Sequence, residues 1–171
     1  MPMSLSFAIA TEADAGAIAA MRNAAAEQLA RKYGPGNWAS LATERSVLLH
    51  NFMRPKFQRT LIAHDGPNLV ATLCLQTKKP WAIDTKYFTS VSKALYLISM
   101  AVHPDWQGKG VGRLILKEAE NIARNWPSNA IRLDAWDADA GAGPFYAKCG
   151  FRDVGHVIYR TAPIAYYEML L

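Results

Sequence analysis

The 171-residue sequence predicts a layered α+β domain of about seven strands and about four helices, in the order β-α-α-β-β-β-α-β-α-β-β. Three observations predict it. Ala94 to Val102 (ALYLISMAV) is an apolar run broken only by Ser99, which reads as a central strand buried on both faces. Beyond it, Val111, Leu114, Ile115, Ala119, Ile122, Ala123 and Trp126 recur at helical spacing until Trp126-Pro127 stops the helix. Further apolar runs come in pairs separated by turn formers, at 57–77 and at 152–171. Residues 1–171 read as a single domain, long enough for one buried core and free of linkers, repeats and low-complexity tracts.

The elements follow in chain order. Phe7 to Ala10 is a short first strand. Thr11 is a helix N-cap, with Asp14 at the third helical position standing in for the capping-box Glu. That helix runs to about Arg31 and ends at the breakers Tyr33-Gly34-Pro35-Gly36. A second helix spans about Leu41 to Met53, closed by Arg54-Pro55. Phe57–His64 and Leu69–Thr77 are strands joined by Asp65-Gly66-Pro67-Asn68, where Asp-Gly signals a hairpin and the proline argues for a longer loop. Lys78 to Lys93 is a polar connection carrying Trp81, Tyr87 and Phe88, either a lid over a binding site or an extension of the flanking strands. Ile131–Trp136 is a strand, and Phe145 to Phe151 contains a helix end at Gly150. The last two strands, Arg152–Arg160 and Ile164–Leu171, turn at Thr161-Ala162-Pro163.

Composition excludes several classes. With 51% hydrophobic and 19% charged residues, the chain is an ordinary globular sequence. The N-terminus lacks a basic region followed by an apolar one, and no apolar run is long enough to span a bilayer, so the expectation is a cytoplasmic protein with no membrane partner. Cys74 and Cys149 form no metal or redox pattern and read as core residues. The histidines at 50, 64, 103 and 156 show no ligand spacing, so no metal is expected. A net charge of +5 has no aromatic-interleaved basic stripe beside it, which argues against general nucleic-acid binding. Lys109, Arg113 and Lys117 are instead placed to meet an anion.

The chemistry concentrates in Gln107-Gly108-Lys109-Gly110-Val111-Gly112, between the central strand and the amphipathic helix. Strand, glycine turn and helix N-terminus in that order make an anion site, because bare N–H groups converge and the helix dipole favours negative charge. A dinucleotide fingerprint from Gly108 would need glycine where Arg113 stands, and no Walker string occurs anywhere. A tight turn alone would explain some of the glycines by positive φ. Gly112 argues for more, since glycine in a helical turn costs roughly 1 kcal/mol against alanine.

The pattern that remains, Gln107, Gly110 and Gly112 after Val102-His103-Pro104, resembles the pyrophosphate loop of the GNAT superfamily of acetyl-CoA-dependent N-acetyltransferases. Tyr146-Ala147-Lys148-Cys149-Gly150-Phe151 resembles the family's second block, with Asp139 where members usually carry Asn. The element order also matches, and implies a mixed, mostly antiparallel sheet with helices on both faces. The resemblance implies acetyl-CoA as cofactor. Backbone groups from Gly108 through Lys109, Gly110, Val111, Gly112 and Arg113 would hold the pyrophosphate, with Gln107 opening the loop. Met100 would pair with the pantetheine arm, and the N–H of Val102 would hold the thioester carbonyl. Asp139, ionised, can only accept hydrogen bonds where Asn also donates. Tyr146 would be the acid for the leaving thiolate.

No base is assigned. Some members use a Glu on the strand before the loop, and residues 94–102 carry no carboxylate. Asp134, Asp137, Glu44 and His103 are candidates; Asp134 beside Arg132 reads as a structural ion pair, and a water relay fits equally well. The implied reaction is direct attack of a primary amine in a ternary complex, without a cysteine nucleophile. Two other readings stay open: a non-catalytic acyl-CoA-binding module, and a toxin acetylating aminoacyl-tRNA. Small amine, peptide N-terminus, lysine side chain and antibiotic all stand as acceptors, and family habit allows a homodimer.

Overall fold

The computed structural model describes residues 3–35 and 56–171. Seven strands are hydrogen-bonded in the order β1-β2-β3-β4-β5-β7-β6. They are β1 (Leu5–Ile9), β2 (Gln58–Asp65), β3 (Asn68–Gln76), β4 (Ala94–Val102), β5 (Ala130–Trp136), β6 (Arg152–Tyr159) and β7 (Ala162–Leu170). The sheet is mixed: β1–β2, β5–β7 and β6–β7 pair antiparallel, and β4–β5 pairs parallel. Three α-helices occur among the described residues: α1 (Ala15–Tyr33), α2 (Val111–Asn125) and α3 (Gly143–Lys148). The helix predicted at 41–53 lies outside the described residues.

The described chain falls into two compact units, Met1–Leu75 with Ile98–Ala119, and Gln76–Leu97 with Glu120–Leu171. In the first, Thr11 starts a 3-10 turn (Glu12–Asp14) instead of the α-helix itself, and its N–H donates to the Asp14 carboxylate at 2.8 Å. α1 then runs to Tyr33, where Gly34 (φ +77) ends it. Its small apolar face packs Ala15, Ile18 and Ala19 against Ala10 and Ile62. β2 and β3 are joined by only Gly66-Pro67, tighter than the proline suggested. Gly66 takes φ +58, and a type II′ turn accepts proline after it because only its first central residue needs positive φ.

In the second unit, β5 pairs with β7 from Ala130↔Leu170 to Trp136↔Ile164. The connection at 78–93 is neither loose nor fully solvated. Ile83 and Phe88 are buried with Tyr96, Ile164 and Tyr166, and burying each such side chain is worth roughly 1.5–3 kcal/mol. Asn129 Oδ1 fixes its end by accepting from Ser92 Oγ at 2.7 Å and the Lys93 N–H at 3.1 Å. The last turn sits one residue earlier than predicted, at Arg160-Thr161, with φ +46 and +71. Pro163 cannot adopt positive φ and falls inside β7, where its carbonyl accepts from the Asp137 N–H at 2.9 Å.

One expectation for β4 is corrected. Its bounds match, yet only its first half is buried as a central strand: Ile98, Ser99 and Met100 are half-exposed. Ser99 takes φ +54, a left-handed residue inside a strand, which breaks the regular pleat. Parallel pairing to β5 covers Ala94↔Ala130 through Tyr96↔Arg132.

Candidate active site

The first unit carries Met100, Val102 and the loop from Gln107 to Arg113. The His103 N–H donates to the Val70 carbonyl at 2.8 Å. Alternation along the strand then turns Val102 and Met100 toward the other edge of β4, and the Val102 carbonyl accepts from Gln107 Nε2 at 3.0 Å. Pro104–Trp106 forms a 3-10 turn in which His103 Nδ1 accepts from the Asp105 N–H at 3.2 Å. The His103 ring lies edge-on to Trp106, and Trp106 Nε1 donates to Asp65 Oδ2 at 3.1 Å. His103 Nδ1 is thus engaged in shaping the turn.

Gly108 and Gly110 take φ +73 and +83, and a Cβ at either would meet nothing within 4 Å. The glycines are needed for backbone conformation, with open space outside them. The Gly110 carbonyl accepts from the Leu114 N–H at 3.1 Å and begins α2. The N–H groups of the first turn, at Val111, Gly112 and Arg113, have no intrahelical acceptor and point outward from the helix start. Lys109, Arg113 and Lys117 are exposed around this end. Val111 is buried and anchors the turn, while Leu114 of the predicted apolar stripe is exposed.

Tyr146 and Asp139 belong to the second unit. Tyr146, on α3, is buried with its ring among Phe145, Phe151 and Tyr167. Burial pushes its phenol well above the ordinary tyrosine value, and the charges of Asp134 and Cys149 push the same way. Gly143 lets this helix approach β7, because a Cβ there would collide with the Tyr167 hydroxyl. Asp139 is exposed and lines a shallow depression of about 540 Å³ together with Trp136, Asp137, Gly143 and Tyr167.

Two electrostatic features escaped the sequence reading. Arg132 pairs with Glu168 at 3.2 Å, not with Asp134. Asp134, half-buried on β5, instead has its carboxyl raised by burial. His156 bonds Asp137 through Nδ1 and Asp153 through Nε2, both at 2.8 Å. Asp153 stands three residues before it on β6, whereas Asp137 is nineteen residues away, so the second partner is not visible from linear spacing. Cys74 is buried as expected, and Cys149 only partly. Among the described residues no group of three potential ligands could hold a metal.

The model of the Acetyltransferase (GNAT) family matches residues 20–151. The chain belongs to the GNAT acetyltransferase family. An aminoglycoside N(6')-acetyltransferase type 1 of Stenotrophomonas maltophilia is 30% identical over 76 residues, 44% of this chain and 50% of that protein. The chain thus matches about half the length of that curated relative. Among solved structures, the PaiA N-acetyltransferase of Thermoplasma acidophilum in complex with coenzyme A has a TM-score of 0.74 at 16% identity, covering 98% of this chain and 100% of that one. A ribosomal-protein-alanine N-acetyltransferase of Brucella melitensis has a TM-score of 0.72 at 20% identity, covering 97% and 99%. At such identities these likenesses speak for the fold.

Proposed function

We propose that this GNAT chain is an acetyl-CoA-dependent N-acetyltransferase that transfers acetyl to a primary amine by direct attack in a ternary complex. The observation that carries it is the loop with left-handed glycines at 108 and 110, opening onto the bare first turn of α2. Amides from Gly108 to Arg113 hold the pyrophosphate, with exposed Lys109 and Arg113 adding charge-assisted contacts. Met100 receives the pantetheine arm and the Val102 N–H receives the thioester carbonyl, where negative charge develops.

The amine nitrogen bonds to the carbonyl carbon, the carbon–sulfur bond breaks, and the nitrogen proton leaves to a base or to water. Tyr146 donates to the departing sulfur. Its raised pKa makes it a weaker acid than a thiol, which titrates near 8.5. Its contribution is therefore a hydrogen bond that strengthens as charge builds on sulfur. Asp139, at the position where family members usually carry Asn, would serve the cofactor as an acceptor only. Neither cysteine has a covalent role, and cytoplasmic residence, where CoA thioesters are supplied, belongs to the same proposal.

Thermal unfolding with acetyl-CoA, CoA, NAD or ATP added separately tests it. Ligand at a hundred times its Kd adds about 2.7 kcal/mol, or roughly 5–10 °C for a chain of this size. A shift with CoA species alone supports the cofactor assignment. No shift, or an equal one with ATP, removes it. Binding without thiol release for any amine leaves an acyl-CoA-binding module.

A further inference from the structure

α1 carries one residue that acetyl transfer leaves unused. Its buried stripe runs Ala15, Ile18, Ala19, Arg22, Ala25 and Ala26, so an arginine stands where helical spacing reserves an apolar side chain. Arg22 is only 3% exposed, whereas long cationic side chains normally extend their charge to water. Its Nε is buried without a hydrogen-bond partner. Among the described residues, no carboxylate forms an ion pair with it. The ionisable group it feels is the Cys74 thiol, itself 2% exposed and held protonated by burial. A guanidinium stays charged even when burial lowers its pKa.

Burying a cation without a counter-charge weakens a fold. Features that cost stability are tolerated where function uses them. Its position gives the ligand's place. Met21 and Ala25, flanking Arg22 in the helix, pack with Ala101, which lies between Met100 and Val102. Arg22 therefore lies on the helix segment that packs against the stretch of β4 assigned to the acetyl thioester, with Cys74 of β3 near its guanidinium.

We propose that Arg22 is an acceptor-recognition residue, and that the amine acetylated here also carries a carboxylate held by its guanidinium. This rests on the acetyl-transfer reading. The planar fork of arginine matches a carboxylate with two parallel hydrogen bonds. The carboxylate is the α-carboxylate of a free amino acid or an acidic side chain near a peptide N-terminus. A polycationic acceptor would meet like charge at this position.

The test measures thiol release from acetyl-CoA with free amino acids, their C-terminal amides, short peptides beginning with Asp or Glu, an aminoglycoside and spermidine. Turnover is expected with the acids, with kcat/KM at least about tenfold lower for the matching amides. Whether the free acid or the acidic peptide wins identifies the source. Arg22→Met should raise KM for the acids about 10–100-fold, leave the amides unchanged and preserve the thermal shift with CoA. Without ligand, the Met variant should unfold at a higher temperature than the parent.

Preference for the aminoglycoside or spermidine over every acid overturns the proposal. So does a fall of several degrees in the Met variant's unfolding temperature, which would assign the guanidinium to an internal partner. If CoA shifts unfolding and no amine releases thiol, the transfer reading fails by itself. Arg22 is then judged by whether the same amino acids stabilise the parent and not the Met variant; stabilisation of neither overturns the proposal.

Discussion

Arg132 and Glu168 are register partners on β5 and β7, 3.2 Å apart and almost wholly out of solvent. Glu168 also accepts from Arg152 and from the Thr89 N–H, each at 3.2 Å. Arg132 donates to the Thr89 carbonyl at 2.6 Å and stacks over Phe88. This cluster adds a buried polar tie between the 78–93 connection and the sheet. Removing one partner strands the other's charge, so Glu168→Gln should cost about 3–5 kcal/mol by urea denaturation. The double variant Arg132→Met/Glu168→Leu should recover most of that loss. An additive double variant would show that the two residues do not act as a pair.

Tyr146→Phe removes one hydroxyl from a packed aromatic cluster. Acetyl transfer to any accepted amine should fall by about 10–10² in kcat/KM, as for a lost hydrogen bond to a charged group, while the unfolding temperature changes little. Because the phenol is pushed well above its ordinary value, its ionisation cannot limit the rate below about pH 10. An alkaline fall below that point which vanishes in the Phe variant would contradict this assignment.

His156 should titrate above its ordinary value of 6.5, because bonds to the Asp137 and Asp153 carboxylates favour the charged ring. With the folded pKa raised, its stabilisation is complete below the unfolded value and is lost as pH rises through the folded one. The site is well exposed, so the effect stays below about 1 kcal/mol. NMR titration of the ring checks the direction, and Asp137→Asn and Asp153→Asn should each bring the midpoint down.

Gly108→Ala and Gly110→Ala should each cost about 1–2 kcal/mol, because both backbones are left-handed. No collision adds to this, since a Cβ at either position meets open space. Affinity for CoA should fall further than stability, as the new methyl stands where a phosphate approaches the amides. Isothermal titration of CoA against each variant separates the two effects.

What the sequence made legible was local. β4 could be bounded because its apolar run stops at a V-H-P turn, and α2 because Trp126-Pro127 ends it. The loop could be found because only glycine supplies its backbone angles at 108 and 110. The hidden parts depend on contacts across the chain. Arg132 meets Glu168 thirty-six positions away, and nothing in the neighbourhood of either announces it. The Arg160-Thr161 turn was misplaced because neither residue type favours positive φ, while the proline beside them looked like the corner. Ser99 was read as a polar blemish in an apolar strand, although its φ marks an irregularity. Arg22 sat in plain view at apolar spacing, disguised by the alanines around it.

The bond from Trp106 to Asp65 has a practical consequence for protein engineering. The β2–β3 hairpin tip is a two-residue surface turn of the sort favoured for grafted tags and fused reporters. Lengthening it at Gly66-Pro67 would pull Asp65 away from the indole and loosen the turn that leads into the glycine loop. The tip of the β6–β7 hairpin at Arg160-Thr161, ending an edge strand, is the better insertion point.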